Sequence, residues 1–436
     1  MNKKQSVFLS MSSDIMHNGH IKIIARAAEL GDVTVGILSD TAENEYRNYP
    51  VVPYEERSAL VSSLKGVVRV VPVEELDCRE TLLEIKPDIV VHGDDWRTGL
   101  LAPVRKRVLE ALESYGGKLV EFPYTHNVYI SEIEEEARRV LAMPERRRPR
   151  LRQLLAMDRP VRVMEAHNGL TGLIVEKTEV EVGETIRQFD AIWISSLTDS
   201  TAKGKPDTEL VDATSRLDTI EQVMEVTTKP IIVDGDSGGL IEHFQYFVAT
   251  LERIGVSAVI IEDKVGLKRN SLFGAAAGQH QDSIEGFCEK ITAGKSVLRT
   301  PDFMVIARIE SLILEQGMED ALKRAHAYVR AGANGVMIHS RKKSPDEIFE
   351  FCERFSAQDS ETPIIVVPTS YNDITEEELG KHGISIVIHA NHLIRAAFPA
   401  MESAARIILE NGRSREADDI CMPIKKILTL IPAASR

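Results

Sequence analysis

Eight apolar segments spread over residues 162–392 each end in polar or charged residues, and they constrain this chain more than any other feature. They read RVMEAH, DAIWIS, PIIVDGD, AVIIEDK, FMVIARIE, GVMIHS, PIIVVPTS and SIVIHANH, with helical periodicity between most of them. Short apolar runs buried on both faces are parallel strands, and eight β/α units read as a closed barrel. The polar residues then share one rim: Glu165 and His167, Ser195, Asp234 and Asp236, Glu262 and Lys264, Arg308 and Glu310, His339, Thr369 and Asn391. Any one of them is an ordinary strand terminator turned to solvent. All eight strands ending this way place a site at the carboxyl-terminal mouth of the barrel.

The first part of the chain alternates differently. SVFLSMS, DVTVGILS, VVRVVPV and DIVVHGDD read as strands, and GHIKIIARAAEL, YEERSALVSSL, RETLLEIK and VRKRVLEALESYG as helices. This is a doubly wound parallel sheet, with ligands expected beyond the carboxyl ends of its strands. The fold class is therefore α/β: a nucleotide-binding-type domain over 1–143, then a (β/α)8 barrel over 161–436. Residues 144–160, with their prolines and basic cluster, admit two readings, an anion-binding arm or a solvated linker with a short helix. Composition favours the linker.

With 436 residues, two or three domains are expected. The net charge of -14 argues against general nucleic-acid binding. Four scattered cysteines, Cys78, Cys288, Cys352 and Cys421, suggest a reduced, cytoplasmic protein. No stretch reads as a signal peptide or a membrane span.

The rim supplies three kinds of chemistry. Asp234, Asp236 and Glu262 are hard oxygen ligands suited to Mg2+, or else strand-end salt-bridge partners. Lys268, Arg308 and His339 are placed to receive a carboxylate or phosphate. The segment VGLKRNS, with Gly266, is a loop able to close over the site and exclude water.

MEAHNGL, DGDSGG, EDKVGLKRNSL, ARIESLI, IHSRKKSPDE, VPTSYN and ANHLIRAAFPAM together resemble phosphoenolpyruvate mutase of the isocitrate lyase superfamily, from about Val161 onward. The resemblance implies interconversion of phosphoenolpyruvate and phosphonopyruvate with Mg2+. It implies Asp234 as direct metal ligand, with Asp236 and Glu262 in the metal set. Lys268, Asn270 and Ser271 would close on the phosphoryl group, and Arg308 and His339 would hold its oxygens. Trp193, Ser195, Ser196 and Leu197 of WISSL, with Asp207, would bind the pyruvyl part. Carbon–carbon lyases of the superfamily carry a loop cysteine that this chain lacks; a phosphonopyruvate hydrolase is harder to separate. Ser196 replaces a common glycine, and DGDSGG departs from the usual pattern. Relatives of this barrel are often tetramers that exchange terminal helices, so a homo-oligomer, dimer or tetramer, is expected.

SSDIMHNGH places His17 and His20 on one face of a helix's first turn, with Gly19 between them. As residues they are a cap and a surface group, or an anion site. With YEER (Arg57) and VHGDDW (Asp94, Asp95) they resemble the HxGH cytidylyltransferases over about the first 140 residues. That implies CTP binding by His17, Gly19, His20, Arg57, Asp94 and Asp95, with the histidines catalytic. YTHNVYIS matches the late phosphate motif weakly: Asn127 stands for its glycine, and Tyr129 and Ile130 for its hydroxyl residues. The pairing of domains resembles bifunctional enzymes of phosphonate-antibiotic (fosfomycin) biosynthesis, in which CMP passes to a phosphonate such as 2-hydroxyethyl- or 2-aminoethylphosphonate. The alternative is a mutase with a non-catalytic nucleotide- or partner-binding module.

Overall fold

The computed structural model describes residues 4–46, 50, 52–98, 101–123, 136–157, 159–182, 185–266, 268–274 and 278–431. The first domain is a five-stranded parallel sheet. Its order is Val67–Val73, Asp32–Leu38, Ser6–Met11, Ile89–Gly93, Lys118–Phe122. Successive residues feed opposite cores. Phe8 and Val90 join one cluster; Val7, Leu9, Ile89 and Val91 join the other. Double burial explains the unbroken apolar runs. Strand order reverses at Ser6–Met11, so the ends of this strand and of its neighbour Ile89–Gly93 flank the crevice where doubly wound sheets take ligands.

Two longer elements of this domain escape the sequence reading. The strand Lys118–Phe122 has only partly buried residues after its exposed first position, and so little apolar contrast. The helix Asp40–Tyr46 has almost no apolar periodicity.

The second domain is a closed eight-stranded parallel barrel. Its strands, in chain order, are Val161–Glu165, Ala191–Ile194, Ile231–Asp234, Ala258–Glu262, Met304–Ile309, Gly335–Ile338, Ile364–Val366 and Ile384–His389. Side chains alternate with period two. Val163, Trp193, Ile232, Ile260, Ile306 and Met337 fill the interior, while Ile192, Ile194, Ile231, Val233, Val259 and Ile261 pack outward against the helices. Counting on from the inward set, Asp234, Glu262, Arg308 and His339 take the next inward positions. The alternation that builds the core thus aims these polar groups into the mouth.

Residues 144–157 are not a solvated linker. They form the helices Pro144–Arg147 and Arg150–Leu155, and Leu151 and Leu154 enter the barrel's interior cluster. Arg147 donates to Thr227 O at 2.8 Å and Met224 O at 3.2 Å, Arg148 to Glu252 O at 2.8 Å, and Arg150 to Thr228 O at 2.8 Å. Met224 and Glu252 lie in the last turns of helices Ala213–Met224 and Ile241–Ile254, whose carbonyls lack intrahelical donors. The arginines fill that need, which composition alone does not reveal. The last long helix, His392–Asn411, has no fully buried side chain. No helix among the described residues is long and apolar enough to cross a membrane.

Candidate active sites

One cavity opens at the carboxyl-terminal mouth of the barrel. Its lining includes Trp193, Ser195, Ser196, Leu197, Asp207, Asp234, Glu262, Lys268, Asn270, Ser271, Arg308 and His339, so the sequence-selected set converges except for Asp236. Met337, Val367, Thr369, Ala390 and Asn391 complete the wall.

Asp234 is held on both oxygens. Oδ2 accepts from Ser196 N at 3.2 Å and Ser196 Oγ at 2.7 Å, and Oδ1 from Asp236 N at 3.1 Å. Ser196 therefore contributes a hydroxyl that a glycine would lack. Burial alone would raise the Asp234 carboxyl, but Lys268, Arg308 and Arg216 outweigh it and hold the group down to about 2. Glu262 shows the opposite balance: burial pushes it up to about 7 despite Arg308 and Lys264. Its Oε1 makes no hydrogen bond and faces the Lys264 ammonium at 3.2 Å.

Asp236 departs from the expected role. Its backbone turns left-handed (φ 54°), and its carboxylate is taken by Arg216 NH1 at 3.0 Å and by the Lys268 ammonium. It stands behind the cavity wall. Two oxygen ligands, Asp234 and Glu262, remain on the wall. Mg2+ uses one or two carboxylates and keeps its waters, so this donor set fits the ion. No group of three or more potential ligands converges as a ready cage among the described residues.

The cationic side is equally ordered. Arg308 donates from Nε to Glu310 Oε1 at 2.6 Å, and from NH2 to Ser271 Oγ at 2.6 Å and His339 Nδ1 at 2.9 Å. Arginine has no acceptor, so Nδ1 of His339 accepts and Nε2 carries the hydrogen. Burial and the Arg308 charge lower the His339 pKa, which favours this neutral form. Lys268 also donates to Asp207 Oδ1 at 2.9 Å, and Asn270 Nδ2 to Asp207 Oδ2 at 3.1 Å. Both loop residues thus point inward over the mouth.

In the first domain, His17 caps the helix Asn18–Leu30. Its Nδ1 accepts from Gly19 N at 3.0 Å, and His20 Nδ1 accepts from His17 N at 3.3 Å. The rings lie 4.0 Å apart between centroids. A Cβ on Gly19 would come within 2.7 Å of the His17 ring, so a larger residue there would push that ring away from its capping position. Asp94 and Asp95 open a short 3-10 helix directly after Ile89–Gly93, across the crevice. His92 and Trp96 stack there at 3.6 Å. Arg57 does not line this crevice as an open cation. It is 1% exposed and donates to Ser12 O, Leu38 O, Val52 O and Asp40 Oδ1, fastening the ends of two strands. The segment YTHNVYIS lies outside the described residues.

The family model described as Phosphoenolpyruvate phosphomutase matches residues 151–409. The chain belongs to the phosphoenolpyruvate phosphomutase family. The Cytidylyltransferase-like model matches residues 12–151. The Streptomyces hygroscopicus phosphoenolpyruvate phosphomutase is 37% identical over 283 residues, covering 64% of this chain and 86% of that protein. The Tetrahymena pyriformis phosphomutase is 36% identical over 269 residues, covering 62% and 85%. The phosphonopyruvate hydrolase of a Variovorax strain follows at 34%, covering 64% and 93%. A crystal structure of a Streptomyces platensis phosphomutase matches with a TM-score of 0.59 at 35% identity, covering 64% of this chain and 93% of that one. A phosphonopyruvate hydrolase complex with oxalate and Mg2+ gives 0.58 at 32%, covering 65% and 94%.

Within this phosphomutase-family barrel, the sequence reading missed the apolar wall residues Met337, Val367 and Ala390, and also Arg216, which braces the site from behind. Arg216 sits on the helix Ala213–Met224, outside the strand ends, and nothing in its local pattern marks it.

Proposed function

We propose that the barrel interconverts phosphoenolpyruvate and phosphonopyruvate, and that the first domain transfers the cytidylyl group of CTP to a phosphonate. The observation that carries the barrel reading is the cavity at the barrel mouth in which Arg308, Lys268 and neutral His339 face Asp234 and Glu262 beneath an inward-pointing loop. In the forward direction the P–O bond to the enol oxygen breaks and a P–C3 bond forms, with no net proton change. Arg308 and the Nε2–H of His339 would hold phosphoryl oxygens, and Lys268 and Asn270 would supply donors as water is excluded. Ser195–Leu197, at the start of a helix, would bind the carboxylate. Asp234 and Glu262 would hold Mg2+, directly and through its waters, and the ion would supply positive charge for the enolate oxygen. A phosphoryl group with a loose transition state needs placement more than covalent help, and this site offers fixed placement.

For the first domain, the support is the cytidylyltransferase-like match together with His17, Gly19 and His20 at a helix N-terminus beside the strand-order reversal. Arg57 acts here by fixing strand ends. The second reading, a non-catalytic nucleotide-binding module, draws on the weak YTHNVYIS match. The bare apolar face of His392–Asn411, with Phe398 and Met401 exposed, supports assembly as a homo-oligomer.

The test is phosphorus NMR of the protein with phosphonopyruvate and Mg2+. Appearance of phosphoenolpyruvate is expected; inorganic phosphate as sole product would make the barrel a hydrolase. Asp234→Ala should abolish this reaction. Pyrophosphate release from CTP with 2-hydroxyethyl- or 2-aminoethylphosphonate should persist in Asp234→Ala. CTP binding in calorimetry without pyrophosphate release would favour the binding module.

A further inference from the structure

Lys264 stands at the root of the loop that covers the cavity. Lys264–Val265 pairs antiparallel with His280–Gln281, so the chain leaves and returns through one two-stranded neck. Lys264 is 4% exposed and lies behind the cavity wall. Its ammonium donates to Arg269 O at 3.0 Å, to Ser271 Oγ at 3.0 Å and to Gln279 Oε1 at 2.8 Å. Two of these acceptors lie on the outgoing arm and one on the returning arm. The same ammonium is 3.2 Å from Glu262 Oε1 and 3.4 Å from Glu310 Oε2, at the carboxyl ends of two adjacent barrel strands.

An ammonium has three protons. Here the hydrogen-bond geometry sends all three to the loop, while the rim carboxylates hold the charge in place. The inward position of Lys268 and Asn270 is thus tied to a buried cation that the barrel itself anchors. Charge-assisted hydrogen bonds are about twice as strong as neutral ones, and three from one group make one firm attachment.

We propose that Lys264 is a positioning residue that keeps this loop shut while the phosphoryl group is in transit, and so decides whether that group goes to the enolate or to water. The inference rests on the mutase reading. Starting from phosphonopyruvate, the P–C3 bond breaks and its electron pair stays with the pyruvate enolate. With the loop shut, the enolate oxygen takes the phosphoryl group. If water enters, its oxygen forms the new P–O bond, one of its protons ends on C3, and the products are pyruvate and inorganic phosphate.

Full-length Lys264→Met and Gln279→Ala proteins test this. Gln279 does not line the main cavity, and its loss removes one acceptor without leaving a buried charge among apolar atoms. Phosphorus NMR with phosphonopyruvate and Mg2+ reads the ratio of inorganic phosphate to phosphoenolpyruvate. That ratio should rise about tenfold or more in Lys264→Met, as for the loss of a charged hydrogen bond, and less in Gln279→Ala. Lys264→Arg, which keeps charge and donors, should recover part of the wild-type ratio. Trypsin cleavage after Arg269, which needs the loop to open, should accelerate in the same order.

Wild-type protein that yields inorganic phosphate alone overturns the mutase reading, and the trypsin rates then judge Lys264 by themselves. Unchanged product ratio and unchanged cleavage in Gln279→Ala and in folded Lys264→Met overturn the role assigned to Lys264. If Lys264→Met does not fold, Gln279→Ala decides alone.

Discussion

Arg216 NH1 lies 3.0 Å from Asp236 Oδ2 and 2.6 Å from the carbonyl oxygen of Asp234, so one guanidinium holds both ends of the turn that leaves the third barrel strand. Asp236 needs the help. Its φ of 54° is left-handed, a conformation that costs a non-glycine residue of the order of 1 kcal/mol or more. That turn aims Asp236 N at Asp234 Oδ1 and fixes the carboxylate proposed to meet Mg2+.

Arg216→Met should therefore destabilise the barrel by about 3 kcal/mol or more, the usual cost of stripping one partner from a buried ion pair. Adding Asp236→Gly removes both the stranded carboxylate and the left-handed strain. The double variant should lose clearly less than the sum of the singles. Denaturant unfolding of the four proteins measures this; strict additivity would mean that Arg216 acts independently of the turn.

Most of the barrel and its rim were legible because period-two alternation carries both. Asp234, Glu262, Arg308 and His339 are inward positions continued past the apolar layer. Asp236 misleads for the same reason: parity puts it inward, but a positive φ, invisible in sequence, turns it toward Arg216 and Lys268. Arg57 misleads differently. A motif position shows the residue type, whereas its service to Ser12 O and Leu38 O depends on where two distant strands end. The basic cluster at 146–152 reads as solvated because charge usually is; Arg147, Arg148 and Arg150 instead reach helix-end and adjoining loop carbonyls contributed 70 or more residues later.

His17 combines a cap with a proposed catalytic role, and the two separate by substitution. His17→Ala should lose about 1 kcal/mol of stability through the cap and about a hundredfold or more of cytidylyl transfer. His17→Asn keeps an acceptor for Gly19 N, so stability should recover while transfer stays low. His20→Ala should also lose transfer. Recovery of transfer in His17→Asn would reduce His17 to a capping group. Phosphomutase turnover should be unchanged in all three.

Acid sensitivity of the first domain should centre on Glu121. It accepts from Arg105 Nε at 2.9 Å and NH2 at 3.0 Å, from Arg97 NH2 at 2.9 Å and from Trp96 Nε1 at 2.8 Å. The Arg105 fork, helped by Arg97 and Trp96 and opposed by burial, holds the carboxyl down to about 2. The unfolded chain takes up this proton near the ordinary 4.5 and the folded chain only near 2. The stabilisation is therefore complete above 4.5 and fades as pH falls toward 2. Urea midpoints followed by Trp96 fluorescence, in a Trp193→Phe background, should drop over that window. Glu121→Gln should flatten the drop, and an equally steep fall in that variant would locate the acid sensitivity elsewhere.

Asp207 receives both residues from the loop tip, Lys268 on Oδ1 and Asn270 on Oδ2, yet the two should not behave alike when removed. Lys268 also pairs with Asp236 and touches Ser196 Oγ, placing its ammonium inside the acidic cluster that would bind Mg2+. A cation so placed repels a second one. Lys268→Ala should lower turnover and substrate affinity and, by removing that repulsion, raise Mg2+ affinity. Asn270→Ala carries no charge change, so Mg2+ affinity should stay constant while most turnover is lost, because a loose transition state depends on placement. Surface substitutions without a role stay within about 0.5 kcal/mol, which sets the scale for a null result. Metal titration by calorimetry beside steady-state kinetics separates the two residues. Near wild-type turnover in Asn270→Ala, or weaker Mg2+ binding in Lys268→Ala, would remove the loop tip from the catalytic apparatus and leave Asp207 as a simple tether.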